Sequence, residues 1–335
     1  MYYDMSIIRR IENTASQLYK DRHVRGFLHL YVAQEACCVG IKSVMNPGDC
    51  VTTAYRCHGW AYMCGIAARA ILAELMGKVT GCSRGKGGSM HLYSPLFLGG
   101  NGIVGAHVPV GTGMAFAYKY LNKDNVSVVL YGDGAANQGQ VFESYNLAKL
   151  HSLPVVYICE NNKFGMGTKA EGSSANTKYY TRCEYIPGLW VDGMNVLSMR
   201  EGMKFALDYC RKGNGPFLME ADTYRYLGHS MSDPGTSYRT REEVKAIRET
   251  RDAIMSLKEK LIAGKLATEE ECKAIEKKVK EEVEEAAKQA LDDKFSPTEE
   301  LVADVYSNPI RNITRGVAPW DMHPVKNVGK PINTT

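Results

Sequence analysis

Two short stretches carry the residue types that hold a hard cation and a phosphate. In "YGDGAANQGQ", residues 131 to 140, the carboxylate of Asp133 stands between two glycines directly after the β-branched run "VSVVL". In "ENNKFGMGT", residues 160 to 168, Asn161 and Asn162 follow a second such run, "PVVYIC". The stretch between Gly134 and Asn161 is long enough for a loop, a helix and a strand and little else. Strand, helix, strand in that order predicts parallel strands covered by helices. Asp133 and Asn162 then lie at the carboxyl ends of neighbouring strands, the edge where open α/β sheets bind ligands. One carboxylate and one amide oxygen suit magnesium, which prefers six oxygens, keeps some water and shares the rest with substrate phosphates. The backbone carbonyl of Phe164 offers a third protein oxygen. Amides of the glycine loop and of the following helix N-terminus favour the phosphates themselves. Gly-Asp-Gly alone is only a turn signal; the spacing to Asn-Asn makes a site of it.

A second glycine loop competes for attention. "GNGIVG", residues 100 to 105, matches the Gly-x-Gly-x-x-Gly dinucleotide fingerprint, and Asp124 follows about twenty residues on. That fingerprint requires an apolar strand just before it, and "HLYSPLFLGG" supplies a proline and glycines instead. A nicotinamide site is therefore the weaker reading. A loop whose missing side chains let backbone approach a ligand or a helix is the stronger one.

The elements that must position these residues fall into three parts. Residues 1–50 read as a helical arm, with Ile7, Ile8, Ile11, Ala15 and Leu18 at helical spacing, a break at "VRGFLHL" and a closing turn at "NPGD". Residues 51–238 alternate strand-like and helical runs, with strands expected near 126–132 and 154–160 and a helix near 141–151. Residues 239–335 form a C-terminal helical region and tail. There Thr268 and Glu271 make a capping box before a stripe of Ile275, Val279, Val283, Ala287 and Leu291, read as a solvated helix packed on its own domain. From residue 296 onward no strong periodicity remains, and the segment reads as a tail or arm.

Composition excludes other classes. The chain has 335 residues, 41 Lys+Arg against 37 Asp+Glu, and a net charge of +4 with the signs interspersed, so it offers no electrostatic footprint for nucleic acid. No charged residue occurs from Gly87 to Tyr118, but eight glycines and two prolines there argue against a membrane span. Ten cysteines without a Cys-x-x-Cys pair read as reduced, mostly buried thiols in a reducing compartment. The start, "MYYDMSIIRR", has no secretory signal core.

Gly-Asp-Gly followed at this spacing by Asn-Asn is the thiamine diphosphate motif. "QEACCVG", "YRCHG", "GKGGSMH", "GNGIVGAHVPVGTG", "ENNKFGMGT" and "YRYLGHSMSDPGTSYRTREE" narrow it further. From about residue 2 to about residue 320 the chain resembles the E1 α subunits of the 2-oxo acid dehydrogenase complexes, closest to the mitochondrial-type pyruvate dehydrogenase branch. The resemblance implies an α/β thiamine diphosphate-binding fold of the diphosphate-binding type, a parallel sheet flanked by helices with helical N- and C-terminal arms. It implies that Asp133, Asn162 and the Phe164 carbonyl hold Mg2+, with Gly134 and Ala135 beside the diphosphate. Tyr55 and Arg56 would contact the diphosphate, where an arginine fork matches phosphate geometry. Gly102 and Val104 would line the middle of the cofactor and its aminopyrimidine. His229 and His29 match catalytic histidines at the mouth of the site, and Arg225 matches a residue that orders the neighbouring loop. The neighbours of His29, "YVAQEA", depart from the more usual "DGQEA". Titration near neutrality would suit His229 to position phosphate or shuttle protons. His58 reads as support behind the site.

The same resemblance implies partners. Serines matching Ser230 and Ser237 are phosphorylated by a regulatory kinase and reset by a phosphatase, whereas Lys169 stands at the third family serine. No glutamate for the cofactor's aminopyrimidine is assignable here, because in the split enzymes it belongs to the E1 β subunit of an α2β2 heterotetramer. The implied reaction is oxidative decarboxylation of pyruvate with acetyl transfer to the lipoyl domain of the E2 component. The implied place is the mitochondrial matrix, although residue 2 already matches the body of the family and leaves no room for a transit peptide. Other readings are an E1 α subunit for another 2-oxo acid or acetoin, a nicotinamide dehydrogenase, and a catalytically silent regulatory subunit.

Overall fold

The computed structural model describes residues 1–303, 313–316 and 318–324. In chain order the principal elements are α1 (Tyr2–Lys20), α2 (Glu35–Lys42), β1 (Cys50–Thr52), α3 (His58–Met63), α4 (Ala68–Leu75), α5 (His107–Tyr120), β2 (Ser127–Gly132) and α6 (Gly139–Leu150). Then follow β3 (Val155–Asn161), the short hairpin β4 (Phe164–Gly165) and β5 (Thr168–Lys169), α7 (Ala170–Ser173), β6 (Gly188–Asp192), α8 (Val196–Tyr209) and β7 (Phe217–Asp222). Helices α9 (Arg241–Arg251), α10 (Ala253–Ala263) and α11 (Glu269–Asp292) complete the body.

Five strands form one parallel sheet in the order β1-β2-β3-β7-β6. The expected βαβ unit is β2-α6-β3, displaced only slightly from its anticipated bounds. Alternation along these strands divides the core. Val128, Leu130, Val156, Ile158 and Met219 join the helices of one face, while Val129, Tyr131, Tyr157, Cys159 and Leu218 join α5 and α6 on the other. Burial on both faces explains why β2 and β3 read as continuous apolar runs. Helix α5 lies directly on the sheet because Gly111 leaves room: a Cβ there would fall 2.3 Å from Val129 Cγ2.

Helix α1 buries the predicted stripe of Ile7, Ile8, Ile11, Ala15 and Leu18. Asp4 in its first turn and Lys20 in its last oppose the helix dipole favourably. It packs on α11, which also covers α4, so the N- and C-terminal arms meet on one side of the sheet. The Thr268–Glu271 capping box starts α11 as expected, and the helix packs on α1 and α4. Its buried face differs in detail: Cys272, Val279, Val283, Ala287 and Ala290 are buried, and Leu291 is 37% exposed. Steps of four residues drift about 40° per step around an α-helix, so a strict every-fourth stripe leaves the contact face by its last member.

All ten cysteines are free and eight are buried. Among the described residues no helix is long and apolar enough to cross a membrane. The uncharged stretch forms loops and then most of α5. Most of the anticipated C-terminal tail lies outside the described residues.

Candidate functional site

Strands β2, β3 and β7 deliver their carboxyl ends to one edge of the sheet. Asp133 follows β2 at once and is 2% exposed, with Oδ2 buried and without a hydrogen-bond partner. Burial lifts its carboxyl to about 6, against the milder pull of its own backbone amide, Arg225 and Lys163. Asn162 is buried one strand away. Its Nδ2 donates to Gln34 Oε1 at 3.1 Å, and its Oδ1 accepts weakly from the Phe164 amide at 3.4 Å. The turn after β3 runs through left-handed Lys163 and Met166, at φ +73° and +59°. Such conformations persist in non-glycine residues only where the surroundings enforce them. This turn brings Gly165 against Gly134, where a Cβ on either would lie 3.4 to 3.5 Å from the other's Cα. Ala135 is buried in the short 3-10 turn that leads to α6.

Two arginines organise the space above this edge. Arg225, 1% exposed, donates through Nη1 to the Phe164 carbonyl at 2.8 Å and through Nη2 to the Met166 carbonyl and the Tyr238 hydroxyl. Its Nε is buried without a partner. Arg56 donates through Nη1 to the Leu30 carbonyl at 2.6 Å and through Nη2 to the His229 carbonyl at 2.9 Å. Each terminal nitrogen of Arg56 thus gives one hydrogen to main chain, and three of the five guanidinium hydrogens remain for other acceptors. Its charge still faces the site. Likewise the Phe164 carbonyl is engaged by Arg225, which leaves only its second lone pair for a cation.

His29, Tyr55 and His229 cluster at the mouth, with ring centroids 4.6 Å (His29–Tyr55), 5.1 Å (His29–His229) and 5.4 Å (Tyr55–His229) apart. The Nδ1 atoms of both histidines are buried and unpartnered. Titration of His229 near neutrality is not what the structure gives. Burial first, then the charges of Arg56 and Arg225, push it down to about 4. Burial and Arg56 push His29 to about 3. Values this low leave both imidazoles neutral at physiological pH.

Gly102 and Val104 lie in the loop ahead of α5; the segment just before it, residues 96–99, makes only a single parallel bridge to the edge of β1 and forms no full strand of the sheet. A Cβ at Gly102 would meet nothing closer than 3.5 Å, so the protein itself does not require glycine there. Val104 is 40% exposed. Ser230 is buried and shares a hydrogen bond of 2.9 Å with Ser232, whereas Ser237 is exposed.

Sequence reasoning missed the lock on this last segment. The Asp233 carboxylate accepts from the His229 amide at 2.6 Å, the Gly235 amide at 2.8 Å and the Tyr238 hydroxyl at 2.5 Å. Despite partial burial, these bonds hold its carboxyl below the usual range. Arg239 holds the Arg225 and Leu227 carbonyls. The signal was the density of Asp, Tyr and Arg in "SDPGTSYRTR". Gln34, which orients Asn162, gave no signal of its own.

Four buried polar atoms without partners thus converge on one edge: Asp133 Oδ2, Arg225 Nε and the Nδ1 atoms of His29 and His229. Buried polar groups are almost always hydrogen-bonded, so this concentration marks a ligand position. Among the described residues no group of three or more His, Cys, Asp or Glu side chains could hold a metal by itself. A single carboxylate with amide and carbonyl oxygens fits a magnesium ion completed by phosphate and water. The residues fit a magnesium diphosphate.

The sequence model of the dehydrogenase E1 component family matches residues 3–299. A probable mitochondrial pyruvate dehydrogenase E1 component α subunit of Caenorhabditis elegans is 58% identical over 94% of this chain and 79% of its own length. The human somatic form of the mitochondrial pyruvate dehydrogenase E1 α subunit is 54% identical over 95% of this chain and 82% of its own. The Ascaris suum type I subunit is 56% identical over 92% and 78%. With a parallel sheet, a buried and unpartnered carboxylate at its carboxyl edge and a match along nearly the whole body, the chain belongs to the dehydrogenase E1 component family.

Proposed function

We propose that this chain is the α half of a mitochondrial-matrix E1 enzyme that decarboxylates pyruvate oxidatively with thiamine diphosphate and Mg2+, together with a β subunit in an α2β2 heterotetramer. The observation that supports this best is the unpartnered, buried Asp133 carboxylate at the sheet edge that also carries Asn162, in a chain more than half identical to named pyruvate dehydrogenase α subunits. Asp133, Asn162 and the second lone pair of the Phe164 carbonyl would hold the metal. Amides of the Gly134–Ala135 turn would face the diphosphate, with the charge of Arg56 and the ring of Tyr55 nearby. Gly102 and Val104 would leave the middle of the cofactor free to lie against main chain. Thiamine diphosphate supplies, when bound, the electron sink for the carbon that loses carbon dioxide. Neutral His29 and His229 would donate to or accept from groups at the mouth, where the acetyl group passes to a lipoyl domain of the E2 component.

The three parts take separate roles in this reading: residues 51–238 bind the diphosphate, while 1–50 and 239–335 brace them. Exposed Ser237 and buried Ser230 would be the targets of a regulatory kinase and phosphatase. A phosphate adds about −1.5 to −2 charges, and on Ser230 it would break the Ser232 bond beside His229. The test is co-expression with a β subunit and an assay of magnesium-dependent pyruvate decarboxylation with and without thiamine diphosphate. Asp133→Ala should abolish activity in an intact tetramer. Full activity in that variant would refute the assignment.

A further inference from the structure

We infer that Glu12, His58 and Ser89 are positioning residues for His29, a buried relay that fixes the main chain from His29 to Tyr31. The inference rests on the reading of His29 as a residue of the site mouth. His29, Leu30 and Tyr31 lie in neither helix nor strand, so no ladder holds them. Buried side chains do so instead. The His29 amide donates to Ser89 Oγ at 3.2 Å, the Leu30 carbonyl accepts from Arg56, and the Tyr31 amide donates to Glu12 Oε1 at 2.8 Å. His58 closes the circuit: Nδ1 lies 2.9 Å from Glu12 Oε2 and Nε2 lies 3.0 Å from Ser89 Oγ.

A carboxylate only accepts, so His58 Nδ1 carries a hydrogen, and Nε2 faces two oxygens of Ser89, the hydroxyl at 3.0 Å and the backbone carbonyl at 3.1 Å. Glu12, His58 and Ser89 are 0%, 1% and 6% exposed. They come from α1, from the start of α3 and from the loop after α4. A hydrogen-bonded circuit closed inside the protein has one geometry, and here that geometry sets where the His29 ring stands, 5.1 Å from His229. Arg56 extends the control, since the same guanidinium that holds Leu30 also holds the His229 carbonyl. Glu12, far back on α1, thus helps place His29 without touching its ring.

The experiment is a double-mutant cycle on the co-expressed holoenzyme, reading kcat, KM for pyruvate, thiamine diphosphate affinity and thermal midpoint. Ser89→Ala should lower kcat roughly tenfold or more, with KM and cofactor affinity changed less than about twofold and the midpoint near the parent's. In a His29→Ala background the same change should cost less than about twofold, because the group being positioned is gone. Glu12→Gln should show the same non-additivity. Equal losses in both backgrounds, no loss at all, or a loss seen only as a lower midpoint would overturn the relay. His29→Ala with full activity would remove His29 from the mouth and the relay with it. A defective His29→Ala with additive Ser89→Ala would keep the mouth and refute the relay alone.

Discussion

Two buried carboxylates on this chain sit in opposite circumstances. Glu74, at 0% exposure near the end of α4, accepts from the amides of Ser83, Gly85, Gly87 and Gly88 at 2.6 to 3.3 Å. Asp133, equally removed from solvent, leaves Oδ2 bare. Burial lifts both carboxyls, and at Glu74 the four amides oppose it. The carboxylate of Glu74 is saturated within the chain, whereas that of Asp133 keeps one oxygen without a partner. Saturation of buried charge separates a structural clamp from a binding site more sharply than burial or residue type does.

The hardest test of that contrast is Glu74→Ala. It strands four amides of a loop that leads to Ser89, and should cost about 3–5 kcal/mol of unfolding free energy, measured by chemical denaturation. A loss under about 1 kcal/mol would put Glu74 in the same class as a surface charge. Asp133→Asn should act in the opposite direction. The folded carboxyl, raised from 3.8 to about 6, binds more protons than the unfolded one between those values, so the ionised group destabilises the fold above that window. In metal-free protein at pH 7 the amide should therefore stabilise by up to about 3 kcal/mol. The gain should vanish below pH 4, and magnesium binding should be lost at every pH.

The histidines sharpen the picture with a smaller effect. Their folded values of about 3 and 4 lie below the ordinary 6.5, so their contribution is fully present above about pH 6.5 and is lost as pH falls toward 4. Replacing both with asparagine should flatten the acid limb by about 2 kcal/mol at pH 4, less than two full shifts because water partly reaches the mouth. The smallest change is expected from Arg69→Ala. It breaks an exposed pair with Asp293 at 2.5 Å and should cost about 0.5 kcal/mol or less, falling with added salt.

Much of the architecture was legible in advance because it follows from local rules. Two apolar runs on either side of a helical stretch specified the parallel pair β2 and β3. The α1 stripe and the Thr268–Glu271 box specified helices whose faces and starts depend on residues a few positions apart. The α11 stripe failed at Leu291 for a geometric reason, the mismatch between a step of four and the 3.6-residue turn of the α-helix. The poor context of the dinucleotide fingerprint at residues 100–105 was also readable, since the proline and glycines around it are a local fact.

By itself the sequence determined the sheet edge and that Asp133 and Asn162 follow neighbouring parallel strands there, because strand polarity and the short stretch from Gly134 to Asn161 leave room for one helix and one strand. Tertiary structure alone decided how the cations and histidines behave. Arg56 donates to carbonyls 26 and 173 residues away, and Arg225 reaches back 61 residues to Phe164. His29 and His229 lose their protons because distant segments exclude water and set two guanidinium charges beside them. Desolvation and hydrogen-bond saturation are sums over everything that packs around a group, and no local pattern of residue types encodes those sums.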